Sequence, residues 1–196
     1  MNIKIGKVVP VATLFNEKDT AETLSLLSEG GLKTVEITYR TDYAHKAIET
    51  AATTFTDVTV GAGTIITPEQ CKDAINAGAK FIVSPGLSES VAKVCDENGV
   101  PYIPGTITPT EIMRAVSLGL NLLKYFPFAH FGGENAVKAL EGPFPDVKFI
   151  LTNGITADNF SVLLKIGNVA GVGGSWMLKG SREEKLKKIL DITSKI

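Results

Sequence analysis

One lysine stands in an otherwise apolar run, Asn121-Leu122-Leu123-Lys124-Tyr125-Phe126-Pro127. A lysine near a strand end can snorkel its ammonium to water. Here the neighbours on both sides are largely apolar, so that escape is hard. Desolvation weakens the hold of an amine on its proton, and an unpaired buried charge costs several kcal/mol. A neutral lysine is a nucleophile that attacks ketones and forms a Schiff base. Such chemistry needs a carboxylate to shuttle protons. Thr34-Val35-Glu36-Ile37-Thr38-Tyr39-Arg40 supplies one. In a strand Val35, Ile37 and Tyr39 share one face, and Thr34, Glu36, Thr38 and Arg40 the other. The polar set is either a solvated face or the lining of a barrel interior. In a sheet covered on both sides there is no solvated face, which places Glu36 and Arg40 at or near the barrel mouth.

Two further groups offer binding chemistry. Gly61-Ala62-Gly63-Thr64 and Ser84-Pro85-Gly86 end strand candidates, as a pocket wall or as plain turns before a helix. Thr152-Asn153-Gly154-Ile155 and Gly173-Gly174-Ser175-Trp176 are glycine-containing loops late in the chain. Loop N–H groups and a helix N-terminus at that place in a barrel bind phosphate, although ordinary turn chemistry would read the same way. The two histidines, His45 and His130, have no partner at ligand spacing, so no metal is expected. His45 is expected on a helix surface and His130 in the loop after the lysine strand. Trp176, Tyr125 and Phe131 read as packing residues; Phe126 packs too, beside the proposed site.

These residues must be held by something regular. Strand candidates are Val8–Ala12, Thr34–Thr38, Val58–Ala62, Phe81–Ser84, Tyr102–Pro104, Leu122–Phe126, Lys148–Leu151 and Val169–Gly173. Helical patterns follow each: Lys18–Glu29, Tyr43–Thr53, Pro68–Ala77, Glu89–Asn98, Pro109–Leu118, Glu134–Leu140, Ala157–Lys165 and Arg182–Thr193. Thr67-Pro68-Glu69-Gln70, Thr108-Pro109-Thr110-Glu111 and Ser181-Arg182-Glu183-Glu184 carry helix-start signals. Eight βα units in 196 residues, with no linker or break in composition, predict one (β/α)8 barrel domain spanning residues 1–196. The competitor is an open doubly wound sheet. That fold usually carries GxGxxG after its first strand, where this chain has Thr13-Leu14-Phe15-Asn16.

Composition narrows the partners. With 20 Lys+Arg against 21 Asp+Glu, the net charge of −1 gives no electrostatic footprint for nucleic acid. No apolar run reaches the ~20 residues of a membrane span, and the short polar N-terminus is no signal peptide. Cys71 and Cys95 lack CxxC spacing and make no disulfide framework, which points to the reducing cytoplasm.

In order along the chain, Glu36-Ile37-Thr38-Tyr39-Arg40-Thr41, Gly61-Ala62-Gly63-Thr64, Ser84-Pro85-Gly86-Leu87, Pro104-Gly105-Thr106, Lys124-Tyr125-Phe126-Pro127 and Gly173-Gly174-Ser175-Trp176 resemble the 2-keto-3-deoxy-6-phosphogluconate (KDPG) aldolase family, which includes the 4-hydroxy-2-oxoglutarate (KHG) aldolases. The resemblance implies a cofactor-free class I aldolase on a (β/α)8 barrel, usually a homotrimer, acting on a phosphorylated 2-keto-3-deoxy sugar acid. It implies that Lys124 forms the Schiff base and Glu36 is the general acid/base. Arg40 and Thr64 then hold the pyruvate carboxylate, Gly63, Pro85 and Phe126 shape that pocket, and Thr152, Asn153, Gly154, Gly174 and Ser175 form the phosphate end. Three departures stand out. Leu151-Thr152-Asn153-Gly154 replaces Pro-Thr-Gly-Gly. Phe128-Ala129-His130-Phe131 follows Pro127 where a small and then a polar residue is common. Only Met1–Lys7 precede the first strand, which leaves the lower end of the barrel less covered. The alternatives are a 2-keto-3-deoxy-6-phosphogalactonate aldolase, a phosphate-binding isomerase or epimerase using Glu36 as base, and a silent scaffold barrel.

Overall fold

The structure, a computed structural model, describes residues 5–196. Nine parallel strands form one sheet: β1 Val8–Ala12, β2 Thr34–Thr38, β3 Thr59–Gly63, β4 Ile82–Val83, β5 Tyr102–Ile103, β6 Gly105–Thr106, β7 Leu122–Tyr125, β8 Lys148–Thr152 and β9 Val169–Gly174. Their order is β5-β4-β3-β2-β1-β9-β8-β7-β6. The two ends of that order are separated in sequence by Pro104 alone, so the chain itself closes the ring. Pro104 has no N–H to give the ladder, and its carbonyl accepts from Lys124 N–H at 2.8 Å. The expected fifth strand, Tyr102–Pro104, is thus two short pieces of one barrel strand, and the eight expected strands are all present. Ring closure removes the open-sheet alternative. The first-strand approach, Met1–Lys7, lies partly outside the described residues; within them, Ile5 packs on the interior cluster described below.

Strand alternation sorts the side chains into two shells. Val35 and Ile37 of β2, Val60 and Ala62 of β3, and Leu123 and Tyr125 of β7 face outward into a large apolar layer shared with the helices. Facing inward, Phe81 and Val83, Ile103 and Ile150 form a smaller cluster that fills the lower barrel. Phe81 fits because β3 places Gly61 opposite it; a Cβ at Gly61 would overlap the ring. The interior is therefore dry and packed below the level of Lys124.

The helices are α1 Glu17–Gly30, α2 Ala44–Thr54, α3 Pro68–Asn76, α4 Glu89–Glu97, α5 Pro109–Ser117, α6 Gly133–Ala139, α7 Phe160–Leu163 and α8 Arg182–Thr193. Capping follows the expected signals. Thr108 and Glu111 form a complete capping box on α5, and Ser181 and Glu184 one on α8. On α3 the Thr67 hydroxyl accepts from Gln70 N–H, but the Gln70 carboxamide accepts from Ile66 N–H at 2.9 Å, one residue before the cap. The largest boundary difference is α7, four residues long where Ala157–Lys165 is expected. Asn159 explains it: Oδ1 accepts from Thr156 N–H at 2.8 Å and Nδ2 donates to Gly154 O at 2.9 Å. That local turn competes with the first helical turn.

Removing the α5 cap with Thr108→Ala is expected to lower unfolding free energy by about 1 kcal/mol, read by urea denaturation, with an unchanged far-UV circular dichroism spectrum.

Candidate active site

β2 and β7 project Glu36 and Lys124 toward each other across the barrel. Lys124 Nζ lies 3.6 Å from Glu36 Oε1, with side chains only 9% and 5% exposed. Every other ion pair among the described residues has both side chains more than a fifth exposed. Surface pairs contribute little. A buried pair is different: breaking it strands a charge at a cost of ~3–5 kcal/mol. At 3.6 Å the contact is ionic and longer than a normal hydrogen bond. Nζ also lies 5.2 Å from the centre of the Phe126 ring, whose face attracts the cation. Phe126 is half-buried, and its place beside the amine agrees with the sequence expectation.

The room for Glu36 is made by Gly63. β2 and β3 pair Thr38 with Gly63, and a Cβ there would overlap the Glu36 carboxyl group. Gly105 does the same for the other wall: it pairs with Lys124, and a Cβ would strike the Pro85 carbonyl. Pro85 itself is exposed at the end of β4.

At the rim, Arg40 is exposed and its Nε donates to Thr64 Oγ1 at 3.1 Å. Thr64 has φ +59°, a left-handed conformation that strains a β-branched residue. Strain of this kind persists where surrounding structure enforces it, commonly at ligand sites. A further contact was hidden in sequence. The Tyr39 hydroxyl donates to Asp73 Oδ2 at 2.8 Å, and His45 Nδ1 meets Asp73 Oδ1 at 2.9 Å. Burial and the Asp73 carboxylate raise the Tyr39 phenol above its ordinary value. This bond ties the end of β2, one residue before Arg40, to α3. No spacing signals it, since Tyr39 and Asp73 lie 34 positions apart.

The expected phosphate group divides. Thr152 is not with the loop residues. It lines one enclosed space with Glu36, Lys124, Val9 and Gly173, and its buried hydroxyl has no partner among the described residues. Asn153 and Gly154 are exposed at the mouth with φ +77° and +82°. Asparagine tolerates that region best after glycine, so the loop survives the departure from Gly-Gly. Asn153 O accepts from Ala129 N–H at 3.3 Å, and a Cβ at Gly154 would overlap Ala129. Gly174 ends the neighbouring β9, paired to β8 through Thr152 and Gly173, and Ser175 follows it. The expected helix N-termini are weak here: a four-residue α7 and a 3-10 turn, Trp176–Leu178, follow these loops. A phosphate would depend on loop N–H groups and the Ser175 hydroxyl.

Among the aromatic residues, Tyr125 is buried and its hydroxyl donates to Phe131 O at 2.8 Å, tying down the loop after the lysine strand. Trp176 packs on Phe160. Phe131 corrects the packing expectation, being 52% exposed, because Gly132-Gly133 turn the chain away directly after it. His130 is exposed too, and His45 sits on α2.

Gly63→Ala pushes the Glu36 carboxyl out of place. It is expected to lower kcat/KM at least ~100-fold with an unchanged far-UV circular dichroism spectrum.

Comparisons with known proteins place the chain in a family. The aldolase family model described as KDPG and KHG aldolase matches residues 1–192. The 2-dehydro-3-deoxy-phosphogluconate aldolase of Treponema pallidum is 40% identical over 172 residues, 88% of this chain and 82% of that protein. The KHG/KDPG aldolase of Escherichia coli K12 is 38% identical over 173 residues, 88% of this chain and 81% of that one. The crystal structure of the KDPG aldolase of Legionella pneumophila, with pyruvate captured at low pH as a covalent carbinolamine, superposes with a TM-score of 0.90 at 36% identity, covering 97% of this chain and 94% of that one. With the family model matching nearly the whole chain and relatives at up to 40% identity, the chain belongs to the KDPG and KHG aldolase family.

Proposed function

We propose that this aldolase cleaves 2-keto-3-deoxy-6-phosphogluconate reversibly to pyruvate and glyceraldehyde 3-phosphate, through a Schiff base on Lys124. The observation that carries the residue roles is the 3.6 Å approach of Lys124 Nζ to Glu36 Oε1 in a dry interior. Nζ passes a proton to Glu36 and, now neutral, attacks the C2 ketone. Glu36 delivers and removes the protons as the carbinolamine loses water. The iminium then draws electrons from C3–C4: Glu36, through a water, takes the C4 hydroxyl proton, the bond breaks, and glyceraldehyde 3-phosphate leaves. The enamine is protonated at C3 and hydrolysed to pyruvate. Arg40 and Thr64 at the rim bind the C1 carboxylate, with Gly63, Pro85 and Phe126 as walls. Asn153, Gly154, Gly174 and Ser175 take the phosphate. Thr152, inside with the pair, faces the reacting carbons rather than the phosphate.

The relatives named for the gluconate-derived substrate favour it over the galactonate-derived one. Cleavage of 4-hydroxy-2-oxoglutarate to pyruvate and glyoxylate is a second activity of the same chemistry, supported by the KHG/KDPG name of the Escherichia coli relative. The isomerase reading gives Lys124 only an electrostatic role, and the scaffold reading gives it none. We also assign a homotrimer, as the family resemblance implies; exposed Met113 and Val116 on α5 offer apolar surface for it.

Borohydride added with pyruvate is expected to fix the pyruvyl mass to Lys124 in peptide mapping, and Lys124→Ala to abolish it; full aldolase activity in Lys124→Ala would refute the assignment. Glu36→Gln is expected to lower kcat ~10²–10⁴-fold with little change in pyruvate binding. Light scattering is expected to return three times the 20.8 kDa chain mass.

A further inference from the structure

Cys71 and Cys95 share no motif and stand 24 residues apart, yet the fold brings them together. Cys71 lies in α3 and Cys95 in α4, which follow consecutive strands and pack side by side. Their Sγ atoms are 3.5 Å apart, both thiols are free, and both are buried in the outer apolar layer. A disulfide bond is about 2.0 Å long, so closure needs ~1.5 Å of combined movement, within the rotamer play of two side chains. Cys95 also lines a groove with Lys93, Asp96, Tyr102 and Leu118 on the barrel's flank. That groove reaches Cys95 alone, which is itself buried, and Cys71 lies behind it.

We propose that Cys71 and Cys95 are a modification site, at which a small hydroperoxide oxidises the two thiols to an intramolecular disulfide. The two sulfurs share an S–H···S contact in which either can donate, and it holds the Cys71 thiol below its ordinary value and pushes that of Cys95 up. Cys71 is therefore the attacking sulfur. Its thiolate takes one peroxide oxygen, the O–O bond breaks, and the other oxygen leaves as water or alcohol. The Cys95 sulfur then displaces the sulfenic oxygen as a second water, forming the S–S bond. The sulfurs lose two electrons together and the peroxide gains them. The bond would tie α3, whose entry loop carries Thr64, to α4, whose entry loop carries Pro85.

The test is intact-protein mass spectrometry of the full chain after stoichiometric hydrogen peroxide, with thiol titration. The expected result is loss of two hydrogens, loss of both titratable thiols in a monomeric chain on denaturing gels, reversal by dithiothreitol, and a thermal midpoint raised by roughly 5–10 °C. Cys71→Ala and Cys95→Ala should each abolish the two-hydrogen loss. Two thiols still titratable, overoxidation of one cysteine without a disulfide, or cross-linked chains would each overturn the proposal. The wild-type measurement stands even if a variant fails to fold.

Discussion

A lysine and a glutamate facing each other out of water constrain the whole barrel. Either charge alone would cost ~3–5 kcal/mol in that place, so each residue is tolerated because of the other. The pairing demands that β2 and β7 keep their inward register, since a slip of one residue would turn both side chains into the helix layer. It demands a floor that excludes water, which Phe81, Val83, Ile103 and Ile150 provide. It also demands space. Gly61 admits Phe81, Gly63 admits the Glu36 carboxyl, and Gly105 lets the loop at Pro85 close over the wall. The glycines of the inward face are therefore part of the site, though none carries a functional group.

Reactivity follows from the division between strands and rim. In the proposed mechanism the groups that make and break bonds sit on strands, held in one geometry by ladders on both sides. The groups proposed to recognise substrate sit one or two residues past the strand ends, where loops can vary. Arg40 and Thr64 are fixed at this boundary by their own hydrogen bond and by the left-handed turn at Thr64. The Tyr39–Asp73 bond braces the strand end that carries Arg40. The departures from the family's motifs noted in the sequence, at Asn153 and in Phe128-Ala129-His130-Phe131, fall in segments past the strand ends.

Much of this was legible before any coordinates. Lys124 in an apolar strand and the alternation around Glu36 are local patterns, and strand periodicity converts them directly into facing directions. The caps at Thr108 and Ser181 are equally local. Contacts between distant segments were not legible. Nothing near Tyr39 announces Asp73, and Cys71 and Cys95 become neighbours only because consecutive helices pack in parallel. Motif order groups Thr152 with the loop it precedes, whereas strand alternation puts it inside with Lys124. Two boundaries failed for chemical reasons: Pro104 interrupts its own strand, and Asn159 captures backbone groups that a longer α7 would need.

The most direct measurement is a crystal of the chain soaked in pyruvate near neutral pH. The account predicts continuous density from Lys124 Nζ to pyruvate C2, with the carboxylate of the adduct against Arg40 and Thr64. An unmodified Lys124 turned into solvent, with pyruvate bound elsewhere or absent at saturating concentration, would contradict it.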